Sequence, residues 1–494
     1  MDDFDVVVAG GGINGAGLAR DLAGRGWRVL LAEADDLAAH TSSASTKLIH
    51  GGLRYLETWE FGLVAKALRE REVLLRAAPH LIQPLRFVLP HAPGLRPAWM
   101  IRLGLFLYDH LARRELLPGS RGLNLRGTPL GAALKPGYTR GFEYSDGWVD
   151  DARLVVANAQ DAHARDAEVL TRCAVTEAQR APTHWDITLA SGRRLRSRAL
   201  VNATGPWAER FLSERARAAD GRPLGGRSLR LVKGSHIVVP QRFAHDRAYI
   251  FQNPDGRILF AIPYQGRFTL IGTTDVELPA HELPPDRAAI SADETAYLCE
   301  QASRYLAQDV TPADVLWSYA GVRPLLDEGG SASSATRDYL LESDTSGGAP
   351  LLNVWGGKLT TYRRLAEDGA DELGRLLGDE RPAWTRHAIL PGGNLGEHGV
   401  DLAGFIAELQ ARHLGEPAAR LSRLAHAYGS VAAELLAQPA GAEVAPGLFE
   451  RELRHLVDHE WARSAEDVLW RRSKLGLHCT PDQQAAVAAW LGTR

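Results

Sequence analysis

Cysteine is scarce: only Cys173, Cys299 and Cys479 occur in 494 residues, far apart and without a CxxC spacing. That excludes a disulfide framework and a thiolate metal site, and a reduced, intracellular protein is expected. Long apolar runs are missing too. The nearest candidate, residues 98–111 (AWMIRLGLFLYDHL), is too short to span a bilayer and is broken by Arg102 and Asp109. The start MDDFDVVV is acidic and has no basic region or cleavage site, so no secretory leader is expected. Neither sign of charge dominates, with 57 Lys and Arg against 60 Asp and Glu and a net charge of −3. This gives no electrostatic case for a nucleic-acid partner. The seventeen histidines form no HExxH and no H-x-H beside acids, so no metal is expected. Internal repeats are absent.

What is present begins at the first residues. Residues 4–9 (FDVVVA) form a short β-branched run, and Gly10, Gly12 and Gly15 fit G-x-G-x-x-G. A helix is expected over 13–24 and a second strand over 27–32 (WRVLLA), closing on Glu33. Gly10 permits the tight turn, Gly12 lets a pyrophosphate approach the backbone, and Gly15 lets helix and strand pack closely. The helix N-terminus offers N–H groups to phosphates, and Glu33 lies where a carboxylate can accept from an adenosine ribose. Strand before, helix after and acid at the right distance make this a dinucleotide-binding unit.

The fold returns to this unit twice. Residues 198–203 (RALVNA) run into Thr204-Gly205-Pro206, and 350–355 (PLLNVW) run into Gly356-Gly357-Lys358 ahead of a helix over 360–377. Between them, residues 229–276 alternate and turn like an antiparallel sheet, with a hairpin signal at Asn253-Pro254-Asp255-Gly256. From about Pro391 the composition becomes helical, with helices expected over 405–414, 420–428, 448–460, 465–474 and 481–491. The expected architecture is α/β. A Rossmann-type domain (about 1–75, 150–210 and 335–390) receives an inserted antiparallel substrate or cap domain (about 76–149 and 211–334). An all-α domain over 391–494 follows. Residues 208–228 and 329–335 read as loop or linker. Residues 98–111, flanked by Arg96, Arg113 and Arg114, read as a buried helix of the cap, with a membrane-surface helix as the alternative. Trp99, Trp148, Trp317 and Trp355 read as core or pocket-wall residues, and Asp150-Asp151 as a cap or turn. The basic stretch Trp470-Arg471-Arg472 with Lys474 reads equally as a contact for anionic lipid or as a solvated helix face.

Residues 41–48 (TSSASTKL) are dense in small and hydroxyl side chains. Such a segment can wrap a ribityl-diphosphate and bring backbone N–H groups to an isoalloxazine edge. With the turns at Ala203 and Gly356, it brings three distant segments to one elongated ligand, and FAD rather than NAD is expected. Cofactor contacts are expected at Gly10, Gly12, Ile13, Asn14, Gly15, Glu33 and Ala34. Further contacts are expected at Thr41, Ser42, Ser43, Ser45, Lys47, Leu48, His50 and Gly51, and then at Ala203, Gly205, Gly356, Gly357, Lys358, Leu359 and Thr360.

The strings GGGINGAGLARDLAGRG, TSSASTKLIHGGLRYLE, RGFEYSDGWVDDARLVVANA, VNATGPW, KGSHIVVP, IGTTDVE, SYAGVRPL, VWGGKLTTYRRLAE and LVDHEWARSAEDVLWRRSKLGL run in order along nearly the whole chain. In them the chain resembles the bacterial aerobic sn-glycerol-3-phosphate dehydrogenases. The resemblance implies a glycine-oxidase-like fold and non-covalent FAD. It implies oxidation of sn-glycerol 3-phosphate to dihydroxyacetone phosphate by hydride transfer from C2 to flavin N5. It also implies electron delivery to ubiquinone or menaquinone, peripheral attachment to the cytoplasmic face of the cytoplasmic membrane, and a homodimer. The alternative is a glycerol-3-phosphate oxidase that uses oxygen and yields hydrogen peroxide. The cap shows no large extra insertion, which favours the dehydrogenase. An RNA-modifying flavoprotein would need a basic groove and nucleophilic cysteines, and charge and cysteine spacing speak against it.

A small phosphorylated alcohol needs guanidinium or ammonium groups for its phosphate and a base for its hydroxyl proton. Substrate contacts are expected from Arg54 and Tyr55 (HGGLRY), Thr274 (GTTD), Arg323 (AGVRPL) and Lys358. Catalytic roles are expected of Arg323, Lys358, His236 (KGSH) and His50, with His236 or His50 beside flavin or substrate.

Overall fold

A computed structural model describes residues 2–92, 96–279, 288–327 and 338–493. Its first unit is β1 (Asp2–Ala9), α1 (Ile13–Gly24) and β2 (Val29–Ala32). The strands are apolar on both faces, so they occupy the middle of a sheet with cover on each side. β1 pairs in parallel with β2 and with Arg194–Asn202, which in turn pairs in parallel with Leu351–Gly356. These strands form the centre of a nine-stranded sheet. The α1, Asp151–His163 and Tyr362–Leu377 helices pack on one face through Leu18, Leu22, Val155, Leu365 and Leu373. Trp185, Phe211, Leu212 and Trp355 fill the other face.

A second, ten-stranded and largely antiparallel sheet carries the inserted part. Leu229–Pro240 is its long central strand, paired with Trp317–Leu326 on one side and with Phe268–Gly272 on the other. The expected hairpin turn is formed by Asn253 and Gly256, where Asn253 N–H donates to Arg257 O at 2.9 Å. Leu48–Ile49 joins this sheet through Ile82–His91's partner strand Arg140–Val149, so the segment after β2 crosses from one sheet to the other. That crossing puts residues 41–48 between the sheets.

The C-terminal region is helical, as Leu402–Arg412, Ala418–Tyr428, Glu450–Glu460 and Pro481–Gly492, around Leu424, Leu453, Leu456 and Val468. It is not wholly α: a short ladder joins Glu443–Ala445 to Leu448–Phe449, and Asp467–Arg472 is a π-helical turn.

Three other expectations change. Residues 208–214 are not loop: Ala208–Glu214 is a helix because Ala208, Phe211 and Leu212 form an apolar stripe against the first sheet, and Ala216–Arg217 adds an edge strand. The 329–335 segment lies outside the described residues. Ala98–His110 is a helix but not a buried one. Ile101, Leu105 and Tyr108 face the core, whereas Trp99, Met100, Leu103 and Phe106 are exposed, Trp99 by 68%. Thirteen residues give the helix two apolar faces and the sheet can cover only one. No helix among the described residues is long and apolar enough to cross a membrane.

Candidate active site

The two sheets enclose a cleft of about 1240 Å³. Its floor is the β1–α1 turn. Gly10 has φ +107°, and a Cβ there would lie 2.5 Å from Ala203 O. A Cβ on Gly15 would lie 1.8 Å from Gly10 O, so α1 can start only against a bare backbone. Gly12 caps the helix with no side-chain cap, leaving the turn open to the cleft. Ile13 N–H donates to Ser42 Oγ at 3.0 Å, and Asn14 Nδ2 donates to Gly356 O at 3.0 Å. These two bonds bind the 41–48 segment and the Gly356-Gly357 turn onto the same helix start. Asn14 Oδ1 is buried without a hydrogen-bond partner. His50 N–H reaches Thr360 Oγ1 at 3.1 Å and closes the same ring of segments.

Glu33 ends β2 on the cleft wall. Its carboxylate accepts from Gly11 N–H and, at 2.8 Å, from Asp35 N–H. Burial pushes its pKa up, against those backbone bonds. Lone pairs on both oxygens remain for a ribose, and this is the arrangement that fixes the acid's rotamer. His40 packs against Trp207 in a tilted arrangement, with centroids 4.6 Å apart, and both rings line the cleft, a pairing the sequence does not disclose.

The inserted sheet supplies His236 and Arg323 to the opposite wall, while Lys358 follows the Gly356-Gly357 turn and Arg54 sits on a short 3-10 turn. His236 is 1% exposed; its Nε2 pairs with Thr46 Oγ1 at 2.9 Å and its ring lies parallel to Tyr319, centroids 4.8 Å apart. Its Nδ1 is buried without a partner. Burial first, then the charges of Arg323 and Lys47, hold its pKa well below the usual imidazole range, so it is neutral at pH 7. Arg323 is half-buried, paired with Asp275 and donating to Thr273 Oγ1 at 3.0 Å. Lys358 Nζ sits over the Tyr55 ring, 4.1 Å from its centroid. Arg54 lines the cleft on the 3-10 turn Leu53–Leu56, half-buried, with its guanidinium in no ion pair or hydrogen bond with the described residues.

Most residues expected to act together do line this one cleft: Gly10, Gly12, Ile13, Asn14, Glu33, Ala34, Thr41, Ser42, Ser45, Leu48, His50, Arg54, Tyr55, Ala203, Gly205, His236, Arg323 and 356–360. Five do not. Gly15 packs behind the turn, and Gly51 N–H donates to Tyr108 Oη at 2.7 Å. Ser43 and Lys47 lie behind the wall: Lys47, fully buried, gives its ammonium to Asp151 at 2.8 Å and to Ser43 O at 3.0 Å. The bury-and-pair requirement for a lysine, not a ligand, explains Lys47. Asp151 is therefore that lysine's counter-ion, while Asp150 caps the helix as expected. Thr274 donates to Glu294 at 2.8 Å and is turned away. The cleft-facing residues of that segment are Thr273 and Asp275, two apart on an extended chain, and that alternation was the available signal.

Among the described residues, Glu397, His398 and Glu408 are close enough together for a metal, but His398 already bonds Glu408 at 2.7 Å and Arg412 pairs with it.

A Gly-turn cleft with an acid at the end of β2, closed by an antiparallel sheet that brings His236 and Arg323 to it, defines an FAD-linked oxidoreductase. Residues 5–363 match the model of the FAD dependent oxidoreductase family, and 383–491 match the C-terminal domain of alpha-glycerophosphate oxidase. The chain is 49% identical to the aerobic glycerol-3-phosphate dehydrogenase of Escherichia coli over 99% of its own length and 98% of that protein's. It is 47% identical to the D-erythritol 1-phosphate dehydrogenase of Brucella abortus, covering 98% and 97% of the two chains. The structure of the glycerol-3-phosphate dehydrogenase from Bacillus halodurans complexed with FAD superposes with a TM-score of 0.75 at 28% identity, over 99% of this chain and 94% of that one. Glycine oxidase from Geobacillus kaustophilus shares the fold at a TM-score of 0.58 and 19% identity, over 79% of this chain and 99% of that one. The chain belongs to the FAD-dependent oxidoreductases, in the family of the glycerol-3-phosphate dehydrogenases.

Proposed function

We propose that this protein oxidises sn-glycerol 3-phosphate at C2 to dihydroxyacetone phosphate and passes the electrons to a membrane quinone. The observation that carries the substrate class is Arg54: a half-buried guanidinium lining the cleft with no anionic partner among the described residues, in the same cleft as Lys358 and Arg323. A phosphate monoester is the anion that suits such a fork. Bound along the Gly-turn floor, FAD supplies the acceptor for the hydride leaving the alcohol carbon.

The chain's own groups bind and hold the proton. Arg54 takes phosphate oxygens, and Arg323, aimed by Asp275 and Thr273, offers the second cation. His236 lines the cleft and is already neutral, so it is the candidate acceptor for the hydroxyl proton. A dianion arriving beside Arg323 offsets the charge that depresses the imidazole's pKa, so substrate itself makes His236 a better base. Its Nε2 bond to Thr46 fixes the ring's orientation.

The 47% identity to a D-erythritol 1-phosphate dehydrogenase supports a second reading with the same chemistry on a longer polyol phosphate. The electron acceptor can also be oxygen, giving peroxide, as the C-terminal match to alpha-glycerophosphate oxidase allows. One anaerobic experiment separates these. The holoenzyme is mixed with sn-glycerol 3-phosphate or D-erythritol 1-phosphate, then with a soluble quinone analogue or air. Bleaching by the glycerol ester and faster recolouring with quinone is expected. Bleaching by the erythritol ester alone, or faster recolouring in air, would replace the substrate or the acceptor. No bleaching by either would remove the polyol-phosphate assignment.

The Ala98–His110 helix supports association with a membrane surface. Trp99, Met100, Leu103 and Phe106 make one exposed apolar stripe, with Arg96, Arg102 and Arg113 at its margins, which suits a surface of anionic lipid. The resemblance also implies a cytoplasmic-face location and a homodimer, and the membrane stripe is compatible with both.

A further inference from the structure

The basic pair Arg471-Arg472 faces neither lipid nor solvent. Both side chains are buried and converge on Asp36: Arg471 Nε and Arg472 Nη1 each reach Oδ2 at 2.6 Å, and Arg472 Nη2 reaches Oδ1 at 2.8 Å. Asp36 is 1% exposed and lies three residues after Glu33. The cluster extends on both sides. Arg172, whose N–H donates to Asp35 O at 2.8 Å, pairs with Asp467 at 2.7 Å, and Asp467 also holds Arg471. Arg472 donates to Glu460 O at 2.6 Å, and Arg153 pairs with Glu460 at 2.8 Å and donates to Arg472 O at 3.2 Å.

The neighbours of Asp36 are cleft wall: Glu33, Ala34, Asp35, Ala38, Ala39 and His40 all line it. Leu37 between them is buried beneath Gly11, where a Cβ would lie 2.9 Å from its Cδ2. Residues 33–40 are thus held from one side by the Gly turn and from the other by the C-terminal region, which does not itself line the cleft. We propose that the C-terminal region is part of the cofactor-retention machinery, with Arg471 and Arg472 as positioning residues that set the adenosine-binding segment through Asp36. This rests on the reading that the adenosine half of FAD lies at Glu33. A bidentate fork on a buried carboxylate fixes both distance and plane, which a lysine at the same place cannot do. By linkage, a region that improves FAD binding must itself be tightened when FAD binds.

Two measurements test this. The first uses apo-protein of wild type and of Arg472→Lys, Asp36→Asn and Glu33→Gln, titrated with FAD and with ADP as a probe of the adenosine half. Loss of about tenfold or more in affinity for both ligands is expected in the first two variants, with the flavin spectrum of the loaded protein unchanged because the ring end is untouched. Weakened binding in Glu33→Gln but not in Arg472→Lys or Asp36→Asn would overturn the proposal. Unchanged ADP binding in Glu33→Gln would instead overturn the adenosine placement beneath it. The second needs no variant: amide hydrogen exchange of wild-type protein with and without FAD. Slower exchange over residues 460–474 on loading is expected, and unchanged exchange there would overturn the coupling even if every variant failed to fold.

Discussion

Among the described residues, Arg54 differs from Lys358 and Arg323 in having no partner for its charge. Lys358 lies on the Tyr55 ring and Arg323 on Asp275, so each has its position set before substrate arrives. On the proposed reading Arg54 would gain its partner only with substrate, so its interaction energy would go into binding. Arg54→Met is expected to keep FAD and the fold, and to lower kcat/KM by about a hundredfold, roughly 3 kcal/mol for a lost charge-assisted fork, mostly through KM. Steady-state kinetics with a soluble quinone acceptor measure it, and an unchanged KM would place the phosphate elsewhere. The place of Arg54 on the cleft is legible in the sequence because it follows two glycines soon after the cofactor-wrapping segment. For Thr274 the sequence is silent, because two adjacent threonines on an extended chain face opposite ways and nothing in it says which one turns to the cleft. Lys47 is hidden from the sequence for a different reason: its partner, Asp151, is 104 residues away, and only the folded chain shows that the ammonium is already paired.

Whole elements were read more securely than single side chains wherever a period met a turn signal. The β1–α1–β2 unit and the antiparallel run from 229 form where alternation and glycine place them, and the returns expected at 198–203 and 350–355 form as Arg194–Asn202 and Leu351–Gly356. The Ala98–His110 helix was misjudged because its composition is apolar nearly all round, which signals burial in a globular core. Its place at the margin of the second sheet leaves Trp99, Met100, Leu103 and Phe106 outside. Each is a large apolar side chain on one face, worth about 1.5–3 kcal/mol when fully buried, so a lipid surface gains several kcal/mol by covering the stripe. Trp99→Ser with Phe106→Ser should therefore abolish most sedimentation with vesicles of phosphatidylcholine and phosphatidylglycerol. Turnover with a soluble quinone analogue should be unaltered, since neither residue touches the cleft. Equal sedimentation of variant and wild type would move the membrane contact to another surface.

At the scale of the molecule, the C-terminal region is joined to the rest through buried ionisable groups whose protonation couples assembly to pH. His80 lies under this junction, with Gly392 and Gly429 packed so close that a Cβ on either would lie 2.9 Å from its ring. Arg153 and His426 face it, Gln83 bonds His426, and Arg153 runs on to Glu460. Burial first, then Arg153 and His426, lower the His80 pKa to about 3. Glu460 is held down to about 2 by Arg153 and His455 against the cost of its burial. The signs agree. Above pH 6.5 His80 is neutral folded and unfolded, and contributes no pH dependence. Between 6.5 and about 3 the unfolded chain takes up the proton and the folded chain does not, so stability falls as pH falls, by about 1.4 kcal/mol per pH unit. Glu460 adds the same direction of loss between its unfolded value of 4.5 and about 2, because there the unfolded carboxyl is protonated first. The junction is thus stable at neutral pH and lost to acid in two overlapping steps, His80 first. His80→Asn should remove the first step: in urea unfolding of the FAD-saturated protein at pH 6.5 and at pH 5, the variant should lose about one proton's worth of slope, near 1.4 kcal/mol per unit, relative to wild type. Equal slopes would mean that His80 is protonated in the folded protein, and that the junction opens to water well above the pH at which its buried charges require it to stay closed.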